Sequence, residues 1–119
     1  MGDGWETRRK RGLKGGEFDW CIVQLGHRGM IQKVEVDTNH FKGNFPESCQ
    51  IEVCNASGGA FDPDAQDWVT LLPRTTLRAS EQHFYEKELG GAGKAWTHAR
   101  LKIFPDGGIS RLRLVGVAE

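Results

Sequence analysis

The sequence has no excess charge of either sign, because sixteen Lys and Arg balance sixteen Asp and Glu. Without net charge there is no long-range field to gather DNA, RNA or an anionic membrane, so neither nucleic acid nor membrane is expected as a partner. Nor is there an apolar run near the ~20 residues that a membrane-spanning helix needs. Met1 is followed by Gly2, Asp3 and Gly4 instead of a basic segment and an apolar stretch, so no secretory leader is read. Cysteine is scarce and odd in number: Cys21 and Cys54 sit inside apolar strand patterns, and no CxxC pair occurs. That usage argues against a disulfide framework and against zinc-thiolate chemistry, and fits a soluble protein of a reducing compartment, intracellular and cytoplasmic. Apolar residues make up 38% of the chain, below the usual share, and no helical pattern longer than two turns is present.

Glycine is what the chain has in plenty. Sixteen glycines in 119 residues are about twice the usual share and imply many tight turns in one domain with one core. The first sixteen residues, MGDGWETRRKRGLKGG, form a loop-like lead-in. DWCIVQLG, residues 19–26, is a strand apolar on both faces, with a turn expected at His27, Arg28 and Gly29. MIQKVEVD resumes with Val34 and Val36 inward and Lys33 and Glu35 outward, the period-two pattern of a sheet with one wet face. CQIEVCNA is a third strand. SGGAFDPDAQD is an exposed loop, and residues 68–72 are a helical turn or a short strand ended by Pro73. Residues 77–94 leave room for a brief helix, with strand and irregular structure preferred. THARLKIF turns Ala99, Leu101 and Ile103 to one face and Arg100 and Lys102 to the other; GISRLRLVGV does the same with Leu112 and Leu114 against Arg111 and Arg113. Joined by PDGG, these two read as a hairpin with a basic outer stripe. Strands without long helices point to an all-β fold, an antiparallel β-sandwich or jelly roll.

Chemistry concentrates in VEVDTNHFKGNFP, residues 34–46, where Asp37, Thr38, Asn39, His40, Lys42 and Asn44 crowd into eight positions between two strands. His40 can take or give a proton near neutral pH; the plainer alternative is a turn histidine capping backbone groups. Asn39 and Asn44 each offer a carbonyl and an amide, which suits a urea-like ligand, or equally closes a turn. Lys42 can neutralise a carboxylate or stay solvated. The second concentration is GWETRRKR, in which Arg8 or Arg9 can grip a carboxylate with two parallel N–H bonds while Glu6 orients them or handles a proton. Lys10 and Arg11 read as solvated, and Trp5 as a packing anchor. Arg74 carries the same two readings as Arg8. No cofactor is assigned. A divalent metal held by Asp37 and His40, with His83, has only weak support, since two histidines and a carboxylate spread over 47 residues lack the spacing of known metal motifs.

Five blocks together make the chain resemble the allantoicase family. They are DGWETRRKR (3–11), DWCIVQLG (19–26), VEVDTNHFKGNFP (34–46), LLPRTTLRASEQHFY (71–85) and ARLKIFPDGGISRLRLVG (99–116), and they cover nearly the whole chain. The resemblance implies a jelly roll of the galactose-binding-like type, and an enzyme that hydrolyses allantoate to ureidoglycolate and urea in purine breakdown. The carboxylate and two ureido groups of that substrate suit the residues at these positions: Arg8 or Arg9 for the carboxylate, Asn39 and Asn44 for a ureido group, Lys42 and Arg74 as further binding residues, His40 or Glu6 as acid or base, and Asp37 to orient the histidine. It also implies a partner, because a full allantoicase carries two such domains. This chain is then a single repeat, 1–119, truncated at its N-terminal edge, which completes its site with a second domain or in a homo-oligomer. The competing expectation is a catalytically inactive ligand-binding or structural jelly-roll module.

Overall fold

The structure, a computed structural model, describes residues 5–6, 19–39, 43, 46–56, 61–90, 94–104 and 107–118. Among the described residues eight strands follow one another: β1 (Trp5–Glu6), β2 (Asp19–Asp37), β3 (Ser48–Cys54), β4 (Val69–Thr76), β5 (Gln82–Tyr85), β6 (Trp96–Phe104), β7 (Gly108–Ile109) and β8 (Arg111–Ala118). The only helical element among the described residues is a 3-10 turn, Pro63–Ala65, capped by the Asp62 side chain, which accepts from the Asp64 N–H. The sheet runs β4-β3-β6-β2-β5, with β8 also on β2 and β1 paired with β7, and every pairing is antiparallel.

β2 organises the molecule. Its nineteen residues would span about 60 Å if straight, at roughly 3.3 Å each, yet the longest axis of the whole chain is 39 Å. The strand must therefore bend back. The bend lies where its register on β6 slips, from Gln24 opposite His98 to Gly29 opposite Trp96. Before it, Asp19 to Gln24 pair with β6; beyond it, β2 runs beside β8, and Val34 to Asp37 lie between β5 and β8. The turn expected at His27, Arg28 and Gly29 thus falls at the right place, but as a kink in a continuous strand and not as a hairpin. A bulge lets a strand change sheets without losing its backbone partners.

That switch corrects the expected terminal hairpin. β6 pairs with β3 and the first half of β2, β8 pairs with the second half of β2, and the segment between them supplies β7 to β1. The basic stripe dissolves with it. Arg100 and Lys102 stand on one half of the sheet, both on the Glu52 carboxylate at 2.7 and 3.0 Å, while Arg113 stands on the other half, 3.6 Å from Glu35. Burial pushes the Glu52 carboxyl up, but the hydrogen bonds and charges of Lys102 and Arg100 outweigh it and hold it below the usual carboxylate range.

The inward residues are those that the alternation predicts. Val34, Val36, Leu112, Ile51, Val53, Ala99, Leu101 and Ile103 are buried and form one core with Leu71, Leu72 and Tyr85. Each large aliphatic side chain there contributes about 1.5–3 kcal/mol by leaving water. Glu35 differs from expectation: it lies on the outer face but is buried, accepting from Gln82 Nε2 at 2.9 Å and facing Arg113. β4 also differs, because it continues through Pro73 where an end was expected. β4 is terminal in the sheet order, and its register on β3 slips between Thr75 and Leu72, so Pro73 falls in an edge bulge that needs no ladder N–H. Residues 82–85 are strand, the preferred alternative. Cys21, Cys49 and Cys54 lie within strands, and none of them is in a disulfide.

Candidate functional site

The polar segment that follows β2 opens at Asp37 and closes at Pro46, and both ends are fixed by contacts distant in sequence. At the opening, the Asp37 Oδ1 accepts from the Asn39 N–H at 2.8 Å, closing an Asx-type turn. Its backbone carbonyl accepts from both the N–H and the hydroxyl of Ser110, at 2.7 and 2.9 Å. Thr38 is fully buried. Its N–H donates to the Glu81 carbonyl at 2.9 Å, its hydroxyl donates to the Arg78 carbonyl at 2.6 Å, and the hydroxyl oxygen accepts from the Glu81 N–H at 3.0 Å. One threonine thereby satisfies three backbone groups of the turn between β4 and β5.

At the closing end, Pro46 is fully buried, the Glu47 N–H donates to the Phe104 carbonyl and the Glu47 carbonyl accepts from the Leu77 N–H, both at 2.9 Å. Arg74 reaches this end from β4. Its Nε donates to the Ser48 hydroxyl at 2.8 Å, its Nη2 lies 3.6 Å from Glu47, and its guanidinium lies 4.0 Å above the Phe104 ring. A stacked, hydrogen-bonded guanidinium has lost most of its freedom before any ligand arrives.

The two ends of the loop stand at one end of the sandwich. Ser48 opposes Phe104 at the end of β6, Asp37 opposes Arg111 at the start of β8, and the short segment between Phe104 and Arg111 carries β7. β7 in turn holds β1, with Trp5 opposite Ile109 and Glu6 opposite Gly108. The backbone of the second chemical segment is therefore fixed on Gly108 and Ile109, directly before Ser110, which clasps Asp37.

Of the site residues expected from the sequence, the structure brings Asp37, Asn39 and Arg74 to this end of the sandwich, with the Glu6 backbone beside them. His40, Arg8, Arg9, Lys42 and Asn44 lie outside the described residues, as does the Glu6 side chain. His83 is corrected as a metal candidate. It is buried on β5, its Nε2 accepts from the Arg78 N–H at 2.9 Å, and its Nδ1 is 3.0 Å from the Val36 carbonyl. A backbone N–H must donate, so Nε2 is the acceptor and Nδ1 carries the proton, which leaves no lone pair for a metal. Among the described residues no group of three or more His, Cys, Asp or Glu could hold a metal ion.

Thr38 and Ser110 are the residues that sequence reasoning passed over as site-builders. Thr38 sat in the polar cluster, and its place directly after an inward Val36 and outward Asp37 was the available signal. Ser110 had none, because its role comes from a contact 73 positions away in sequence. Arg78 and Glu81 form a close ion pair on the same turn, which holds the Glu81 carboxyl below the ordinary range and raises Arg78.

The family model described as "Allantoicase repeat" matches residues 1–119. The chain belongs to the allantoicase family. It is 50% identical over 122 residues to a probable allantoicase of Ralstonia nicotianae, covering 100% of this chain and 35% of that protein. It is 47% identical over 116 residues to an allantoicase of Dictyostelium discoideum, covering 96% and 31%. Among solved structures, the allantoicase of Saccharomyces cerevisiae superposes with a TM-score of 0.78 at 36% identity, over 96% of this chain and 31% of that one. The fold is thus the antiparallel jelly roll that the resemblance implied. The chain spans about a third of the length of the curated allantoicases it matches.

Proposed function

We propose that residues 1–119 form one allantoicase repeat domain, and that it takes part in hydrolysing allantoate to ureidoglycolate and urea in purine catabolism. The observation that carries this is 50% identity to a probable allantoicase along the whole of this chain. The geometry supports it: the two segments rich in ureido- and carboxylate-binding groups are tied to one end of the sandwich through β1, β7 and Ser110.

In this reading Arg8 or Arg9 holds the substrate carboxylate, and Arg74, already stacked on Phe104, supplies further positive charge nearby. Asn39 and Asn44 pair with a ureido group through matched donors and acceptors, and Lys42 helps hold the anion. Water replaces one ureido group on the carbon that bears both: the new C–O bond takes the place of the bond to one ureido nitrogen, and the proton that water gives up balances the one that the departing urea takes. His40 or Glu6 carries that proton transfer, with Asp37 orienting the histidine. The completed site includes a second allantoicase-like domain, in keeping with relatives about three times as long. Three cysteines outside any disulfide fit a reducing, cytoplasmic setting.

The test is urea release from allantoate by the purified chain, alone and with a second repeat supplied, with and without added divalent metal, alongside His40→Ala. Urea release that His40→Ala lowers at least a hundred-fold supports the assignment. Unchanged activity in that variant removes His40 from the chemistry, and no urea release in any arm favours a binding module.

A further inference from the structure

His83 is buried on β5, and the proposed chemistry leaves it idle. Its ring joins two elements that meet at the opening rim of the polar segment. Nδ1–H donates to the carbonyl of Val36, the residue before Asp37, at 3.0 Å. Nε2 accepts from the Arg78 N–H at 2.9 Å, in the turn whose Arg78 carbonyl and Glu81 backbone hold Thr38. An amide side chain could accept from the same N–H at every pH. An imidazole makes the hold conditional, because a second proton takes the lone pair that Arg78 uses.

The surroundings give that second proton somewhere to point. The partly exposed Glu81 carboxylate lies 4.0 Å from Nε2. The hydrogen bond and charge of the Arg78 guanidinium keep this carboxyl below the ordinary range, so it stays anionic while a histidine titrates. The other titratable groups around the ring are committed elsewhere. Glu35 and Asp37 flank Val36 on β2, but the first accepts from Gln82 and faces Arg113, and the second accepts from the Asn39 N–H. Arg111 stands opposite Asp37 on β8, across β2 from the ring. Tyr85, two residues along β5, and Cys49, on β3, stay uncharged, since burial pushes both up to about 12. A buried imidazolium needs a counter-charge, and of these groups Glu81 is the one in reach.

We propose that His83 is a positioning residue operated by its own proton: the neutral ring fixes the rim at Asp37 to Asn39, and the protonated ring turns its Nε2–H to Glu81 and releases the rim. Protonation adds one N–H bond at Nε2 and removes one acceptor. Arg78 then loses the partner of its N–H and shares the Glu81 carboxylate with the imidazolium. The backbone groups that hold Thr38 belong to these same two residues, so the disturbance reaches the polar segment through Thr38. That this rim serves a catalytic loop rests on the function proposed above, whereas the movement of the rim does not.

The test is a titration of the nitrogen-15-labelled 119-residue chain from about pH 8 to about pH 5, the range in which histidine changes charge. Ring nitrogen shifts report the protonation of His83, and the amides of Thr38, Arg78 and Glu81 report the rim. The expected result is one common, reversible step, with exchange protection at the Thr38 and Glu81 amides at least about ten-fold lower on its acid side. His83→Gln keeps an acceptor that takes no proton and should abolish the step, while Glu81→Gln should move it to more acidic solution. A ring that stays neutral down to about pH 5 overturns the proposal, as do amides that ignore its titration. So does a step that survives His83→Gln or that Glu81→Gln leaves in place. Should His83→Gln fail to fold, the titration of the parent chain decides alone. No substrate enters these measurements, so failure of the hydrolytic reading, seen in urea release, is told apart from failure of the switch.

Discussion

Removing the Thr38 hydroxyl while keeping its volume is the sharpest test of how the polar loop is held. Thr38→Val replaces the hydroxyl with a methyl at a position with no exposed surface. The Arg78 carbonyl and the Glu81 N–H then each lose a partner, at 2.6 and 3.0 Å in the native chain. A net hydrogen bond is worth about 1 kcal/mol, and leaving a buried donor or acceptor unpaired costs about 1–3 kcal/mol. Two such groups, partly relieved by water entering the turn, give an expected loss of about 2–4 kcal/mol. Thr38→Ser keeps both bonds and gives up one methyl, so about 1 kcal/mol is expected. Urea unfolding followed by tryptophan fluorescence gives the two free energies, and hydrogen exchange at the Glu81 amide localises the change. A Thr38→Val chain within about 0.5 kcal/mol of the parent, with an unchanged Glu81 amide, would refute the clamp.

Gly116 offers a steric test: a Cβ built there lies 1.7 Å from the Met30 carbonyl oxygen and 2.8 Å from its carbon. Gly116→Ala must push β8 off β2, at a cost of about 3 kcal/mol, seen as a fall in melting temperature of roughly 10 °C; a fall under 3 °C would contradict the close approach. The Glu52 carboxyl is held low when folded, so its contribution is complete above the unfolded value of about 4.5 and fades as pH falls through the folded one. Glu52→Gln should accordingly be less stable than the parent at pH 7, with the gap narrowing on acidification; a gap independent of pH argues against the cation pair on Glu52. Burial pushes the Cys49 thiol up to about 12. Iodoacetamide at pH 8 should leave Cys49 unlabelled in the folded chain by mass spectrometry, and labelling at the rate of a free thiol would show that the core opens there.

Strand identity was legible in the sequence wherever one face is wet, because alternation then has to show. Residues 34–36, 49–54 and 99–103 fell where the pattern placed them. Pairing was not legible at β6 and β8. Both have the look of hairpin partners, and only the kink at residues 24–29 of β2, with its register slip, decides that they belong to different halves of the sheet. Pro73 misled for a related reason, since a proline ends a central strand but is tolerated in an edge bulge, and edge position is a tertiary fact. Glu35 shows the limit of alternation as a guide to burial: it faces outward as expected, yet Gln82 and Arg113 close over it from neighbouring strands. For the site, the polar cluster was visible as composition, whereas its anchoring through Ser110, Arg78 and Glu81 was not, because those bonds span 40 residues or more.

The anchoring divides the labour within residues 34–46. Thr38 and the backbone of Asp37 are spent on the β4–β5 turn and on Ser110, while Pro46 and Glu47 are spent on Phe104 and Leu77. What these groups do is set the positions from which the intervening residues start and to which they return. A loop fixed at both rims loses less entropy on binding than one free at either, so the rims lower the cost of recognition without touching a ligand. The consequence is a separation of phenotypes. Substitutions at Thr38 or Ser110 act first on stability and on activity through it, whereas Lys42→Ala or Asn44→Ala, in the span between the rims, is expected to change allantoate turnover with less than about 0.5 kcal/mol of stability lost. Unfolding and urea-release measurements on the same preparations decide the matter, and a Lys42 or Asn44 variant that loses stability as Thr38→Val does would mean that the span itself is part of the scaffold.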